Sequence, residues 1–265
     1  MLGIASFLFV DLHALIAAIP LPPGESPPEL PPPALLKLVS VIQPAAITTL
    51  AVAVGCWLAG KVGLHSPAAE AAANGEPILA KLKPQILPGV IAGLATGVAL
   101  VVIWIIARPF FSAEFITRAE DFNRFMPAIT RFLYGGFTEE LLLRWGVMTF
   151  LVWAAWRLFQ RLPPPRQTKR LPPLLRQEGS QELPGSGWFV AAIVVSALVF
   201  GIGHLPIASM LAGGLTLPIV IYVITGNSIF GVAAGFLYWK KGLEAAIIAH
   251  ITAHVVLVSA IYLSF

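Results

Sequence analysis

The sequence predicts an all-α, polytopic bundle of transmembrane helices, about seven spans, with a core formed by the last four helices. Three observations lead there. Hydrophobic residues make up 57% of the 265 residues and charged residues only 11%, against about 25% charged in a soluble domain. Mean hydropathy is +0.84. The apolar residues also gather into runs of about 20, the length that crosses a hydrocarbon core. Such a composition excludes an ordinary soluble globule, a disordered chain and a nucleic-acid-binding domain. The lipid bilayer is therefore the expected partner and nucleic acid is not. The net charge of +4 becomes a question of loop placement.

The expected spans run near 2–19, 35–60, 86–108, 127–157, 188–212, 216–239 and 243–264. The first is interrupted by Asp11 and His13. It carries no Lys or Arg ahead of its apolar stretch, as a signal peptide would, so it reads as a membrane helix. Pro20 to Pro33 holds eight prolines in fourteen residues and suits an extended external loop rather than a helix. Residues 157–187 carry Arg157, Arg161, Arg166, Lys169, Arg170 and Arg176 against Glu178 and Glu182; this is a basic, proline-rich connector. Two regions follow: N-terminal membrane helices over 1–126, and a core over 127–265. Cytoplasmic loops collect Lys and Arg, which puts 157–187, Lys61, Lys81, Lys83, Lys240 and Lys241 inside. The N-terminus is then cytoplasmic, in an integral protein of a bacterial inner (plasma) membrane. Loss of the first span would move only the N-terminus. The single cysteine, Cys56, cannot form an internal disulfide and reads as a small core hydrophobe.

Ionisable groups inside spans are costly and mark function by default. Here they are Asp11, His13, Glu139, Glu140, Arg144, His204, His250 and His254. Lys37 and Arg131 lie near span ends and can snorkel to headgroups. Glu244 suits the dipole of the helix it begins. Glu140 and Arg144 are four apart and share a helical face, while Glu139 is about 100° away. One carboxylate is thus paired and the other is free for chemistry. His204 closes the run Phe200-Gly-Ile-Gly-His204, with Phe200 on the same face. His250 and His254 are four apart, the spacing by which two helical histidines bind zinc. Taken singly, each feature is also compatible with hydrogen-bonded packing or a structural ion pair. Gly231 and Gly235 form a small-xxx-small pattern that permits close helix approach. At ~1.5 Å per residue the charged groups fall at overlapping depths, so they can meet in one polar cavity. A free carboxylate, a paired one and three imidazoles suit the activation of water. Proton-coupled carriers use the same residue types, although no internal repeat is visible. A catalytically silent membrane scaffold or immunity protein is the other alternative.

These motifs resemble the CPBP intramembrane proteases, the CAAX-protease and bacteriocin-processing (Abi) family that includes the eukaryotic Ras-converting enzyme. The family's Glu-Glu-x-x-x-Arg motif is matched by Glu139-Glu140-Leu-Leu-Leu-Arg144, and its Phe-x-x-x-His by Phe200-Gly-Ile-Gly-His204. Its final His motif is matched by His250-Ile-Thr-Ala-His254. The resemblance covers roughly 130 to 255. It implies an endopeptidase that cuts a membrane-associated protein or peptide near a membrane-proximal or C-terminal segment. Glu139 and His204 would activate water, and His250 and His254 would stabilise the tetrahedral intermediate. Glu140 belongs to the catalytic set, with Arg144 and Phe200 supporting. His254 stands where eukaryotic members have Asn, which keeps a metal-dependent description open beside a glutamate-type one. No cofactor is expected; a divalent metal, zinc, would fall to Glu139, His204, His250 and His254.

Overall fold

The computed structural model describes residues 2–17, 31–159 and 183–263. Among them the only regular structure is helical. In order these are α1 (Leu2–Ala5), α2 (Leu12–Ala17), α3 (Pro33–Val62), α4 (Pro67–Ala73), α5 (Ile78–Ala107), α6 (Ala113–Phe125), α7 (Ala128–Phe159), α8 (Ser186–Gly203), α9 (Leu205–Ala212), α10 (Leu217–Lys241) and α11 (Leu243–Leu263). Within α7 the stretches Arg131–Glu139 and Leu141–Met148 are wound as π-helix. Six helical segments are long and apolar enough to cross a membrane: Pro33–Val62, Ile78–Phe110, Ala128–Phe159, Ser186–Ala212, Leu217–Lys241 and Leu243–Leu263. They correspond to the second through seventh expected spans. α5 begins earlier than expected and keeps Pro84 and Pro88 inside it, as neighbouring helices allow in membrane proteins. The Pro-rich segment at 20–33 and the basic loop at 157–187 lie largely outside the described residues.

The first apolar run does not form the expected continuous span. The chain folds as α1, a 3-10 turn over Ser6–Phe9, an extended Val10 and then α2. Asp11 explains this: the carboxylate is costly in hydrocarbon, and among the described residues neither flanking piece is long enough to cross alone. The segment instead braces the start of α7. Thr130 Oγ1 donates to the Ser6 carbonyl (3.1 Å), and Phe7 stands edge-on against Tyr134. Lys37, expected to reach headgroups, donates from Nζ to the Leu8 carbonyl (2.9 Å).

Close helix contact in lipid rests on small residues, because lipid tails already solvate apolar side chains. α5 lies along α11 through Gly89, Gly93 and Gly97; a Cβ on Gly93 would sit 2.4 Å from the Ala249 carbonyl. α10 lies on α8 through Gly231 against Ala197 and Gly235 against Ile193, the tight packing that the glycine spacing implies. α3 meets α7 where Gly55 receives the Trp145 ring. Large apolar residues such as Leu50, Trp57, Leu87, Ile91 and Ile105 face outward. Cys56 is exposed on α3 as well, not in the core.

The start of α11 is pinned. Gly242 has φ +116 and sits against Pro67 and Gln85, a backbone region that side chains rarely adopt. Leu243 N donates to the His65 carbonyl, and Ala245 N donates to Gln85 Oε1 (3.0 Å). Glu244 does more than serve its own helix dipole. Its Oε1 accepts from Ser66 Oγ (2.7 Å) and from Ala68 N (2.9 Å), capping α4. These bonds set the depth and rotation of the helix that carries His250 and His254.

Gly93→Ala is expected to push α5 off α11 and destabilise the fold by about 1–3 kcal/mol, read as a lower thermal unfolding midpoint in detergent. Gly60→Ala, with open space around its position, is expected to leave that midpoint unchanged. Equal midpoints for both variants would contradict the packing described for α5 and α11.

Candidate active site

Glu140 is completely buried, and Arg144 almost so. Arg144 Nη1 lies 3.1 Å from Glu140 Oε1, the pairing that the four-residue spacing implies, and it survives the π-helical winding on either side. Arg144 Nη2 also donates to the Gly231 carbonyl of α10 (3.2 Å). Its guanidinium lies over the rings of Phe200 and Phe230. A buried charge needs such partners, because desolvation otherwise outweighs the Coulomb gain.

Glu140 has a second partner that sequence spacing did not reveal. The same Oε1 lies 2.7 Å from His250 Nδ1. A carboxylate can only accept there, so Nδ1 carries the hydrogen and donates. This leaves Nε2 directed to the other carboxylate: His250 Nε2 is 3.8 Å from Glu139 Oε2. That is ion-pair range but beyond a hydrogen bond. The imidazole of α11 thus stands between the two glutamates of α7. Glu139 is partly exposed and, among the described residues, has no Lys or Arg within ion-pair distance.

His254 lies one turn further along α11. Its ring is nearly parallel to that of His250, 12° apart with centroids separated by 4.9 Å. Its Nδ1 is buried without a hydrogen-bond partner among the described residues. Gly135 leaves room for the ring: a Cβ there would lie 2.4 Å from His254 Nε2. His204 closes α8, where its backbone N donates to the Gly201 carbonyl (3.2 Å). The helix breaks there because Pro206, in the first turn of α9, has no N–H to continue the ladder. His204 Nδ1 lies 2.8 Å from the Phe200 carbonyl. That carbonyl accepts, so Nδ1 holds the hydrogen and Nε2 is the free base.

Two cavities meet at His204. One, of ~480 Å³, is lined by Glu139, His204, Tyr134 and Phe200, and by Ile47 and Leu50 of α3. The other, of ~870 Å³, is lined by His204, Arg131, Asn227, Tyr222 and Trp104. The structure therefore brings Glu139, Glu140, Arg144, Phe200, His250 and His254 into one contiguous cluster, and sets Glu139 and His204 on one cavity wall. Phe230, the Gly231 carbonyl and Gly135 complete the cluster. Nothing in the sequence marks Phe230 among so many aromatic residues, but the Gly135-Gly136 pair just ahead of the glutamates was a readable sign of close approach.

The four residues named as ligands in the event of a metal do not form a cradle. Among the described residues, no three His, Cys, Asp or Glu side chains are grouped to hold an ion. Zinc must lie in the plane of each ligating imidazole at ~2.0–2.1 Å. The nearly parallel, stacked rings of His250 and His254 do not aim lone pairs at a shared point. Nδ1 of His250 is also committed to Glu140.

The family model described as "Type II CAAX prenyl endopeptidase Rce1-like" matches residues 121–256. The matched stretch is just over half of the chain and contains all seven residues that carry the motifs. No curated protein and no solved structure matches the chain.

Gly135→Ala is expected to displace the His254 ring and lower turnover, on the order of 10²-fold for a shift near 1 Å, with little change in the thermal midpoint. A substrate-cleavage assay run beside a melting curve separates the two effects. Full turnover in a folded Gly135→Ala protein would remove His254 placement from the requirements of the site.

Proposed function

The chain belongs to the Rce1-like family of type II CAAX prenyl endopeptidases, and on that footing we propose that it hydrolyses a peptide bond near the lipid-anchored or membrane-spanning C-terminal segment of a protein. The observation that supports this reading most is the inequality of the two glutamates. Glu140 is buried against Arg144 and His250, whereas Glu139 borders a cavity that it shares with His204.

In the proposed reaction, water enters the cavity beside Glu139 and His204. Its oxygen attacks the scissile carbonyl carbon while its proton passes to the Glu139 carboxylate or to the free Nε2 of His204. The carbonyl becomes a tetrahedral oxyanion. His254, and His250 once its Nε2 also carries a proton, stabilise that charge by hydrogen bonding. The C–N bond then breaks, and the held proton passes to the leaving nitrogen. The products are a carboxylic acid and an amine. Glu140 is proposed to orient His250, with Arg144 and Phe200 holding it in place. Catalysis is proposed to proceed through these side chains without a metal, given the poor fit of the imidazoles to one.

The Lys and Arg count also supports a cytoplasmic 157–187 loop. On the six spans of the described residues, we propose the N-terminus on the face opposite that loop.

Glu139→Gln is expected to keep the wild-type melting point and to lose cleavage by about 10²–10⁴-fold. Purified protein is incubated with membrane proteins of its native host and with an S-prenylated cysteine peptide bearing three further residues. EDTA and o-phenanthroline are expected to leave wild-type cleavage unchanged; loss with both chelators and recovery with zinc would contradict metal-free catalysis. Identical product patterns from wild type and Glu139→Gln would contradict the peptidase reading and favour a scaffold or carrier.

A further inference from the structure

Arg131 was expected to snorkel to headgroups, but it turns back onto its own chain. Its Nη2 donates to the carbonyl and to the side-chain Oδ1 of Asn123 (2.7 and 2.9 Å), and Nε donates more weakly to the Met126 carbonyl (3.4 Å). All three acceptors are neutral. Among the described residues no carboxylate lies within ion-pair distance of it. The acidic residue in the same cavity wall, Glu120, is already paired with Arg108 (3.3 Å). Arg131 is therefore a partly buried cation whose Nε and Nη2 are occupied, whose Nη1 has no partner among the described residues, and whose charge is uncompensated.

That cation stands in the wall of the ~870 Å³ cavity, which reaches His204. Most of the lining is apolar, including Trp104, Phe115, Tyr222 and Leu257. Asn227 adds an amide whose Nδ2 is committed to the Val223 carbonyl (2.8 Å), leaving its Oδ1 on the acceptor side. An apolar chamber in which Arg108 is paired with Glu120 and Arg131 has no carboxylate partner among the described residues suits an apolar group that ends in an anion. A carboxylate would accept a charge-assisted hydrogen bond from the remaining Nη1, and low-polarity walls strengthen that attraction.

We propose that Arg131 is a specificity-determining residue that anchors the free C-terminal carboxylate of the substrate, so that the ~870 Å³ cavity receives the chain end while the scissile bond lies at His204. This rests on the peptidase reading above. It assigns the two cavities different tasks: the one bordered by Glu139 performs hydrolysis, and the one bordered by Arg131 selects for a chain terminus.

The test uses one prenyl-cysteine peptide made twice, with a free C-terminal carboxylate and as the C-terminal amide, and full-length protein in neutral phosphatidylcholine nanodiscs. Wild type is expected to favour the carboxylate in kcat/KM by about 10- to 100-fold, the scale of a charged hydrogen bond. Arg131→Gln is expected to bring the ratio toward parity, whatever its overall rate. Should the Gln protein fail to fold, Arg131→Met decides, because it removes the charge and keeps an unbranched stem; a ratio near parity supports the anchor, and an unchanged ratio overturns it. A wild type that cuts both peptides equally, or a folded Gln variant that still discriminates, also overturns it and leaves the peptidase reading intact. A wild type that cuts neither peptide but cleaves host membrane proteins overturns the anchor, and one that cleaves neither peptides nor host proteins overturns the peptidase reading itself. Inhibition of wild type by added phosphatidylglycerol, absent in Arg131→Gln, would assign the cation to a lipid phosphate instead and overturn the carboxylate anchor.

Discussion

The buried ion pair between Glu140 and Arg144 is the constraint on which the rest of the site depends. Both side chains are removed from water, so each would be untenable alone. Arg144 reaches across to the Gly231 carbonyl of α10, and Glu140 reaches across to His250 of α11. One pair of charges therefore ties three spans together at one level. Loss of either partner would strand the other, at a cost of about 3–5 kcal/mol. The pair also explains why two adjacent glutamates differ in use. Glu140 is consumed by structure, while Glu139 remains beside a cavity with no cation of its own.

Small residues make that reach short enough. Glycines on α5 seat α11, and glycines on α10 seat α8. Capping of α4 by Glu244 and the Gln85–Ala245 bond then fix where α11 begins. The position of His250 is thus set twice, by the anchored start of its helix and by Glu140 near its middle. The broken N-terminal segment adds a further brace on α7 through Ser6 and Phe7. A helix wound in the π manner at a functional site is a recurrent device, and here it surrounds both glutamates.

The sequence made much of this legible because charge is so costly in a bilayer. Long apolar runs marked seven spans, six of which are long apolar helices, and the few ionisable residues within them marked the candidate site. The four-residue spacing of Glu140 and Arg144 foretold their pairing. Three features were not legible, each for a physical reason. The run at 2–17 is apolar enough to read as a span, yet one carboxylate at Asp11 breaks it. The bond from His250 to Glu140 joins residues 110 positions apart, which no local period encodes. Arg131 sits at a span end, where snorkelling is the usual fate, and only the tertiary fold shows its neutral partners. The separation of Glu139 from Arg144 was readable from helical geometry; the placement of His250 between the two glutamates was not.

A double-mutant cycle on the buried pair tests the central claim most directly, using Glu140→Gln, Arg144→Met and the combined variant, each followed by thermal unfolding in detergent. The single variants should each melt well below wild type, since each leaves a charge stranded. The combined variant should recover much of the loss, because the two costs share one cause and the coupling between contacting charges reaches ~0.5–3 kcal/mol. Strictly additive losses, or single variants that melt like wild type, would show that the pair is not the keystone of the site.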